Sequence, residues 1–347
     1  MGTQAGSLLK TFTGLFTRSQ NREYHPAKRK PGRLPVYIIT GFLGSGKTTC
    51  INQILNFTSG ERFGVIVNDF GSISIDKELI NGTGDQVIAL ENGCICCSLR
   101  NNLSEAVTTL GDSPYGPDIL VIEASGVADP AGIISLLENE DLKKRVRIAG
   151  VICLVDAEEI FSVSWIMSHL VKKQIRSADL LLLNKVDRVS ESKKAAIRKE
   201  WIPLDMPILE TIYAAIPVSL ILGISHTGTS DLPSDGEHAD HHHHEDHDHG
   251  FSTLSWTHNS PIRLSCLQAL MKNLPSTVIR AKGIAYSSEF PMQQIIIQVV
   301  GKRVSITKGK PWIRKNPSTE LTFIGVGKTI QIGEITTRLE SCLVKPP

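Results

Sequence analysis

Val36-Tyr-Ile-Ile-Thr-Gly-Phe-Leu-Gly-Ser-Gly-Lys-Thr48 is the stretch whose reading decides the fold. Residues Val36–Thr40 are apolar or β-branched without polar alternation, as a strand covered on both faces should be. Gly41 to Thr48 then match the spacing G-x-x-x-x-G-K-[ST], a glycine loop set between a strand and a helix. The glycines Gly41, Gly44 and Gly46 let backbone N–H groups around Phe42, Leu43 and Ser45 close on phosphate oxygens. Lys47 reaches the β- and γ-phosphates, and the Thr48 hydroxyl is placed to ligate Mg²⁺.

Working outward, short apolar runs recur at Val65–Val67, Val87–Leu90, Ile119–Glu123, Val151–Val155 and Leu180–Leu183. Helical stretches fall between them, among them Thr48–Phe57, Leu99–Leu110 and Ala131–Leu137. This alternation predicts an α/β fold with a doubly wound, mostly parallel sheet of the P-loop type. A second, smaller α+β pattern follows, with a helix over Pro261–Leu274 and strands over Val278–Tyr286, Gln293–Val300 and Leu321–Val326. The division expected is a basic tail at 1–34, a nucleotide domain at 35–222, a His/Asp-rich linker at 223–252 and a second domain at 253–347.

The 347 residues are 41% hydrophobic and 21% charged, which excludes wholesale disorder. No apolar run approaches the ~20 residues that cross a bilayer, so no membrane partner is expected. The net charge of +2 hides an asymmetry: residues 1–35 carry +6, and residues 235–249 carry −6 with seven of the eleven histidines. The remainder is near neutral, giving no case for nucleic acid. Of seven cysteines, three crowd into Cys94, Cys96 and Cys97, which argues against a secreted disulfide scaffold and for a cytoplasmic protein. Leu8, Leu9, Phe12, Leu15 and Phe16, with Lys10 and Arg18, leave a mitochondrial presequence as the alternative. The isolated Cys50, Cys153, Cys266 and Cys342 read as packing residues.

Four further motifs carry chemistry. Asn184-Lys185-Val186-Asp187 follows a strand in the form N-K-x-D. Its aspartate can accept hydrogen bonds from guanine N1 and N2, which adenine does not offer, while the lysine stem packs on the base; GTP is the nucleotide expected. Glu123-Ala-Ser-Gly126 closes another strand, where the acid can hold Mg²⁺ through water or orient the attacking water and the glycine N–H can approach the γ-phosphate. Lys47, Thr48, Glu123 and Gly126 are therefore the candidate catalytic set. Cys94, Cys96 and Cys97 can present three thiolates to Zn²⁺, leaving one tetrahedral position open, as suits a metal that is handed on. His241, His242, His243, His244, His247 and His249 alternate with acids, an auxiliary metal-recruiting segment.

Taken together these motifs resemble the CobW-like family of metal-handling P-loop GTPases, and most closely its eukaryotic zinc-regulated GTPase metalloprotein activators. The matching words lie at 41–49, 67–71, 91–97, 122–130, 184–187 and 280–283, the last being Arg-Ala-Lys-Gly. The resemblance implies Mg²⁺-dependent GTP hydrolysis to GDP and phosphate, coupled to delivery of zinc to a client metalloprotein. It also implies that Thr49 joins the phosphate loop and that Cys97, Ser98, Leu99, Arg100 and Asn101 lie against the nucleotide. By the same resemblance, Asn68 and Asp69 belong to a first switch that Asp76 closes. Ser72 stands where family members often have an acid. Residues 1–35 contain no cysteine, so the Cys-Pro-Glu word that docks such activators onto methionine aminopeptidase is missing there. The sequence leaves the client and the oligomeric state open.

Overall fold

Leu34–Gly41 forms β1, buried at seven of its eight positions, and the remaining strands of the first domain assemble around it. The computed structural model describes residues 28–29, 32–57, 61–67, 87–89, 97–218, 222, 251–312, 316–326 and 332–344. In chain order the described elements are β1, α1 (Lys47–Leu55), β2 (Phe63–Val67), β3 (Val87–Ala89), α2 (Cys97–Asp112), β4 (Ile119–Glu123) and α3 (Ala131–Leu137). They continue with β5 (Val146–Asp156), α4 (Trp165–Arg176), β6 (Leu180–Asn184), α5 (Glu191–Trp201) and β7 (Ile208–Thr211). The sheet order is β3-β2-β4-β1-β5-β6-β7, all parallel, so the chain winds one way from β1 and the other way after β4. The loop leaving β1 sits at that switch point, where open α/β sheets form their crevice. Apolar clusters cover both faces: Ile39, Ile51 and Leu154 lie on one, Ile38, Ile66 and Ile122 on the other.

Two local signals fix the helices beyond the site. Ser164 and Ser190 each cap a helix, accepting from the backbone N–H of Met167 and Lys193. The short edge strand β7 and the first residues of β5 extend beyond the apolar runs that the sequence marks. Their polar residues are tolerated because neighbouring strands supply the ladder partners.

The second domain comprises β8 (Phe251–His258), α6 (Leu264–Lys272), β9 (Val278–Tyr286), β10 (Gln293–Val300), β11 (Arg303–Pro311), β12 (Thr319–Val326) and α7 (Ile332–Ser341). Its five-stranded antiparallel sheet has the order β11-β10-β9-β12-β8. Strands β8 and β11 escape the sequence reading because they alternate polar with apolar residues, as a half-covered sheet allows. One sheet face packs α6 and α7 through Leu267, Met271, Phe323 and Leu339. Here the reading of the cysteines needs correction. Cys266 and Cys342 are not separate packing residues but form a disulfide, their Cα atoms 5.4 Å apart across 76 residues. Only the antiparallel sheet brings α6 and the end of α7 together, so spacing along the chain hides the pair.

The other face of that sheet meets the parallel sheet. The β10–β11 turn inserts against the start of β6: Gly301 has φ +53°, and a Cβ there would lie 1.7 Å from the Asp179 carbonyl oxygen. Lys302 N donates to that oxygen at 2.9 Å. The Asp179 carboxylate accepts from Arg303 Nε at 2.7 Å and from Val151 N at 2.8 Å. Burial nonetheless holds the Asp179 carboxyl above its ordinary value, with Arg303 opposing the shift. A carboxyl raised on folding favours the fold when protonated, and that contribution is lost as pH rises through the folded value. Arg303→Met removes the cation and is expected to cost about 3–5 kcal/mol. Thermal melts should show a larger deficit at about pH 8 than at about pH 5. An equal deficit at both would show that the Asp179 charge is not what Arg303 compensates.

Candidate functional site

The glycine loop takes its shape from three positive φ angles. At Gly41 (φ +138°) a Cβ would sit 2.2 Å from the Leu154 carbonyl oxygen, so β5 can pass only a glycine. At Gly46 (φ +103°) it would sit 2.6 Å from Asn184 Nδ2, while at Gly44 (φ +72°) it would meet nothing within 4 Å. Lys47 opens α1, is nearly buried, and its Nζ donates to the Phe42 carbonyl at 3.2 Å across the loop. A helix N-terminus, a curled run of backbone N–H groups and an ammonium thus converge on one space.

That space is a cavity of about 320 Å³ lined by Leu43, Gly44, Gly46, Lys47, Thr48, Thr49, Val67, Glu123, Ala124, Ser125 and Gly126. Across it Thr48 Oγ1 donates to Glu123 Oε1 at 3.3 Å. A hydroxyl and a carboxylate are the oxygen donors that a hard cation takes, so the chemistry of this pair fits Mg²⁺. Ser45 Oγ is buried in the loop with no hydrogen-bond partner among the described residues. Gly126 comes close because it lacks a side chain: a Cβ would lie 2.6 Å from Leu43 Cδ2 and 3.0 Å from Leu43 N.

A second cavity of about 240 Å³ shares Gly44, Gly46 and Thr49 with the first and adds Asn184, Lys185, Asp187, Arg188 and Tyr213. Asn184, buried at the end of β6, holds it together. Its Nδ2 donates to the Ser45 carbonyl at 2.9 Å, and its Oδ1 accepts from Ala214 N at 2.8 Å and Thr211 Oγ1 at 3.2 Å. Lys185 adopts φ 60°, and its Nζ pairs with Asp156 Oδ2 at 2.6 Å, which pins the lysine stem along this pocket. Val186 packs against the neighbouring apolar cluster, leaving Asp187 exposed on the rim with Arg188 and Tyr213.

Three supporting residues escape sequence reasoning. Asp156 closes the apolar run of β5 as Glu123 closes that of β4, a signal available but unused. Gln174 is fully buried in α4, and its Nε2 donates to the carbonyls of Gly126 and Ala128, at 3.1 Å each. That clamp fixes the loop after Glu123, and only the packing of α4 reveals it. Thr211 belongs to β7, whose brevity hides it.

Cys97, Ser98, Leu99, Arg100 and Asn101 form the first turns of α2. Cys94, Cys96, Asn68, Asp69, Ser72, Asp76 and the histidines His241, His242, His243, His244, His247 and His249 lie outside the described residues. Among the described residues no three His, Cys, Asp or Glu side chains cluster as a metal site would require. Cys50 and Cys153 are fully buried, and burial pushes both thiols up to about 12.

With this geometry in view, comparison with known proteins gives two family matches. Residues 35–205 match the CobW/HypB/UreG nucleotide-binding domain, and residues 251–343 match the cobalamin synthesis protein CobW C-terminal domain. The chain is 31% identical to the zinc chaperone YjiA of Escherichia coli (strain K12), over 84% of this chain and 94% of that one. It is 29% identical to the zinc chaperone CobW of a Sinorhizobium species, over 86% and 95%. Zinc-regulated GTPase metalloprotein activator 1 of Schizosaccharomyces pombe is 31% identical over 56% of this chain and half of its own.

Asn184→Ala is expected to unfold the site locally, because each buried partner left unmade costs about 1–3 kcal/mol. The melting temperature and nucleotide affinity should fall together; a loss of neither would show that the Ser45–Asn184–Ala214 bridge holds nothing in place. Cys50 and Cys153 should resist iodoacetamide at about pH 8 in the folded protein, since thiolate is the reactive form. Mass spectrometry of the modified peptides checks this, and rapid labelling of either would contradict their burial.

Proposed function

The chain belongs to the CobW/HypB/UreG family, and from that premise we propose that it is a GTPase that uses hydrolysis of GTP to GDP and phosphate to transfer zinc to a client metalloprotein. The observation that carries the nucleotide part is the pair of cavities joined at Gly44, Gly46 and Thr49, one ringed by the phosphate loop and the other by the N-K-x-D word. Lys47 and the N-terminus of α1 stabilise the charge that develops on the transferred phosphoryl group. Asp187 on the rim of the second cavity accepts from the guanine edge. Gly126, held through its carbonyl by Gln174, lines the same cavity as Lys47, and its N–H is the donor assigned to the γ-phosphate. Glu123 orients water within reach of Thr48. Bound Mg²⁺ would be held by Thr48 and Glu123 and would offset phosphate charge.

The zinc part is supported by the names of the relatives and by the cysteines Cys94, Cys96 and Cys97, which precede α2 in the chain. Because Cys97 opens the helix whose first turns carry Ser98–Asn101, metal and nucleotide would bias one segment. Linkage then requires that GTP change zinc affinity by the same factor that zinc changes GTP affinity.

Phosphate release by the purified protein, with and without Zn²⁺, tests both halves. GTP turnover should exceed ATP turnover, Lys47→Ala should abolish it, and Asp187→Asn should lose about 1.5–3 kcal/mol of GTP affinity. Wild-type turnover in a folded Lys47→Ala variant would remove this site from the reaction. For zinc, competition against a chelator in GDP and in a non-hydrolysable GTP analogue should give two different affinities, and identical values would leave no nucleotide-driven transfer.

A further inference from the structure

Among the described residues three other than glycine take a positive φ, and all three gather at the second cavity: Lys185 (60°), Tyr213 (52°) and Ala214 (52°). Lys185 and Tyr213 line it, and Ala214 stands beside it, its Cβ 3.7 Å from where a Cβ on Gly46 would lie. A side chain in this region crowds its own backbone, so such residues persist only where their surroundings hold them. For Lys185 the hold is the pair with Asp156. For the turn after β7 it is the Asn184 amide, whose Oδ1 accepts from Ala214 N at 2.8 Å, together with the Ala215 N–H donated to the Ile212 carbonyl at 3.0 Å.

Ala214 is fully buried and packs in the apolar cluster of the parallel sheet, which explains a side chain at that position. Packing does not explain Tyr213. It is 71% exposed, and among the described residues no hydrogen bond or aromatic neighbour holds its ring. Glycine or asparagine would adopt the same φ with less strain. The fold thus carries a strained, solvated aromatic on the rim that already bears Asp187 and the Lys185 stem. An aromatic ring kept at the edge of a ligand cavity is a stacking surface, and every nucleobase has a π-face to set on it.

We propose that Tyr213 is the base-stacking residue of the nucleotide site, its ring closing on one face of the guanine while the Lys185 stem serves the other. This rests on the guanine reading of the N-K-x-D word and adds a contact that the word itself does not contain. Asp187 selects guanine by its edge, whereas Tyr213 supplies affinity through the ring face. The left-handed backbone, fixed from behind by Asn184, holds the ring in place before nucleotide arrives, so little order is lost on binding.

Calorimetry of GDP binding to the full-length protein, with thermal melts of the nucleotide-free form, tests this. Tyr213→Leu keeps an apolar side chain but removes the ring, and GDP affinity should fall about tenfold, the scale of one base–aromatic stack. Inosine diphosphate, which lacks the guanine N2 donor, should lose affinity by the same factor, because stacking does not read the base edge. Tyr213→Phe keeps the ring and should bind GDP as wild type does. Tyr213→Gly should lose the affinity too, yet melt no lower than wild type without nucleotide, because glycine takes this φ without strain. Unchanged GDP affinity in Tyr213→Leu would overturn the assignment. So would a lower melting temperature of nucleotide-free Tyr213→Gly, which would make the ring a structural part. Wild-type protein that binds UDP as tightly as GDP would instead remove the guanine reading on which the proposal stands.

Discussion

One buried amide holds the site in register. Asn184 donates to the backbone of the phosphate loop and accepts from the backbone of the turn after β7, so loop, strand end and turn cannot move separately. A side chain with a donor and an acceptor in one plane is required; an apolar residue would strand all three partners, and a carboxylate could not donate to Ser45. The same contact explains Gly46, since a Cβ there would overlap the amide nitrogen. The geometry of both cavities follows from this bridge and from the Leu154 carbonyl that forces glycine at position 41.

Around that bridge the parallel sheet places the chemistry at one edge. β1, β4 and β6 all end there, delivering the loop, Glu123 and Asn184 respectively. Parallel strands make this possible because their carboxyl ends all open on one side, and the reversal of winding at β1 leaves the crevice there uncovered. Gln174 then fixes the Gly126 loop from a helix that itself lines neither of the two cavities. Its role is to hold the Gly126 and Ala128 carbonyls, while the Val127 and Ala128 N–H groups donate back to Ser125 within the loop.

The second domain packs directly against the first. A glycine turn at Gly301 closes on the Asp179 backbone, and Ile279, Leu222 and Val326 continue the apolar cluster of the parallel sheet. Beside this apolar contact Arg147, Arg280 and Arg303 line one small cavity between the two sheets. The Cys266–Cys342 disulfide lies on the far face of the antiparallel sheet and ties its two helices together without touching that cavity.

The sequence by itself determined the strands β1, β4, β5 and β6, because each is an apolar run buried on both faces, and it determined the glycine loop, because few other chemistries tolerate that spacing. It also marked Lys47, Thr48, Glu123 and Asn184, all of which sit at strand ends or helix starts where local pattern is informative. What only the tertiary structure decided are the contacts between segments distant in the chain. Lys185 with Asp156, Gln174 with Gly126, Cys266 with Cys342, and the arginines gathered from β5, β9 and β11 belong to this class. None of these partners is related by a helical or strand period, so no local pattern encodes them; sheet order and packing bring them together.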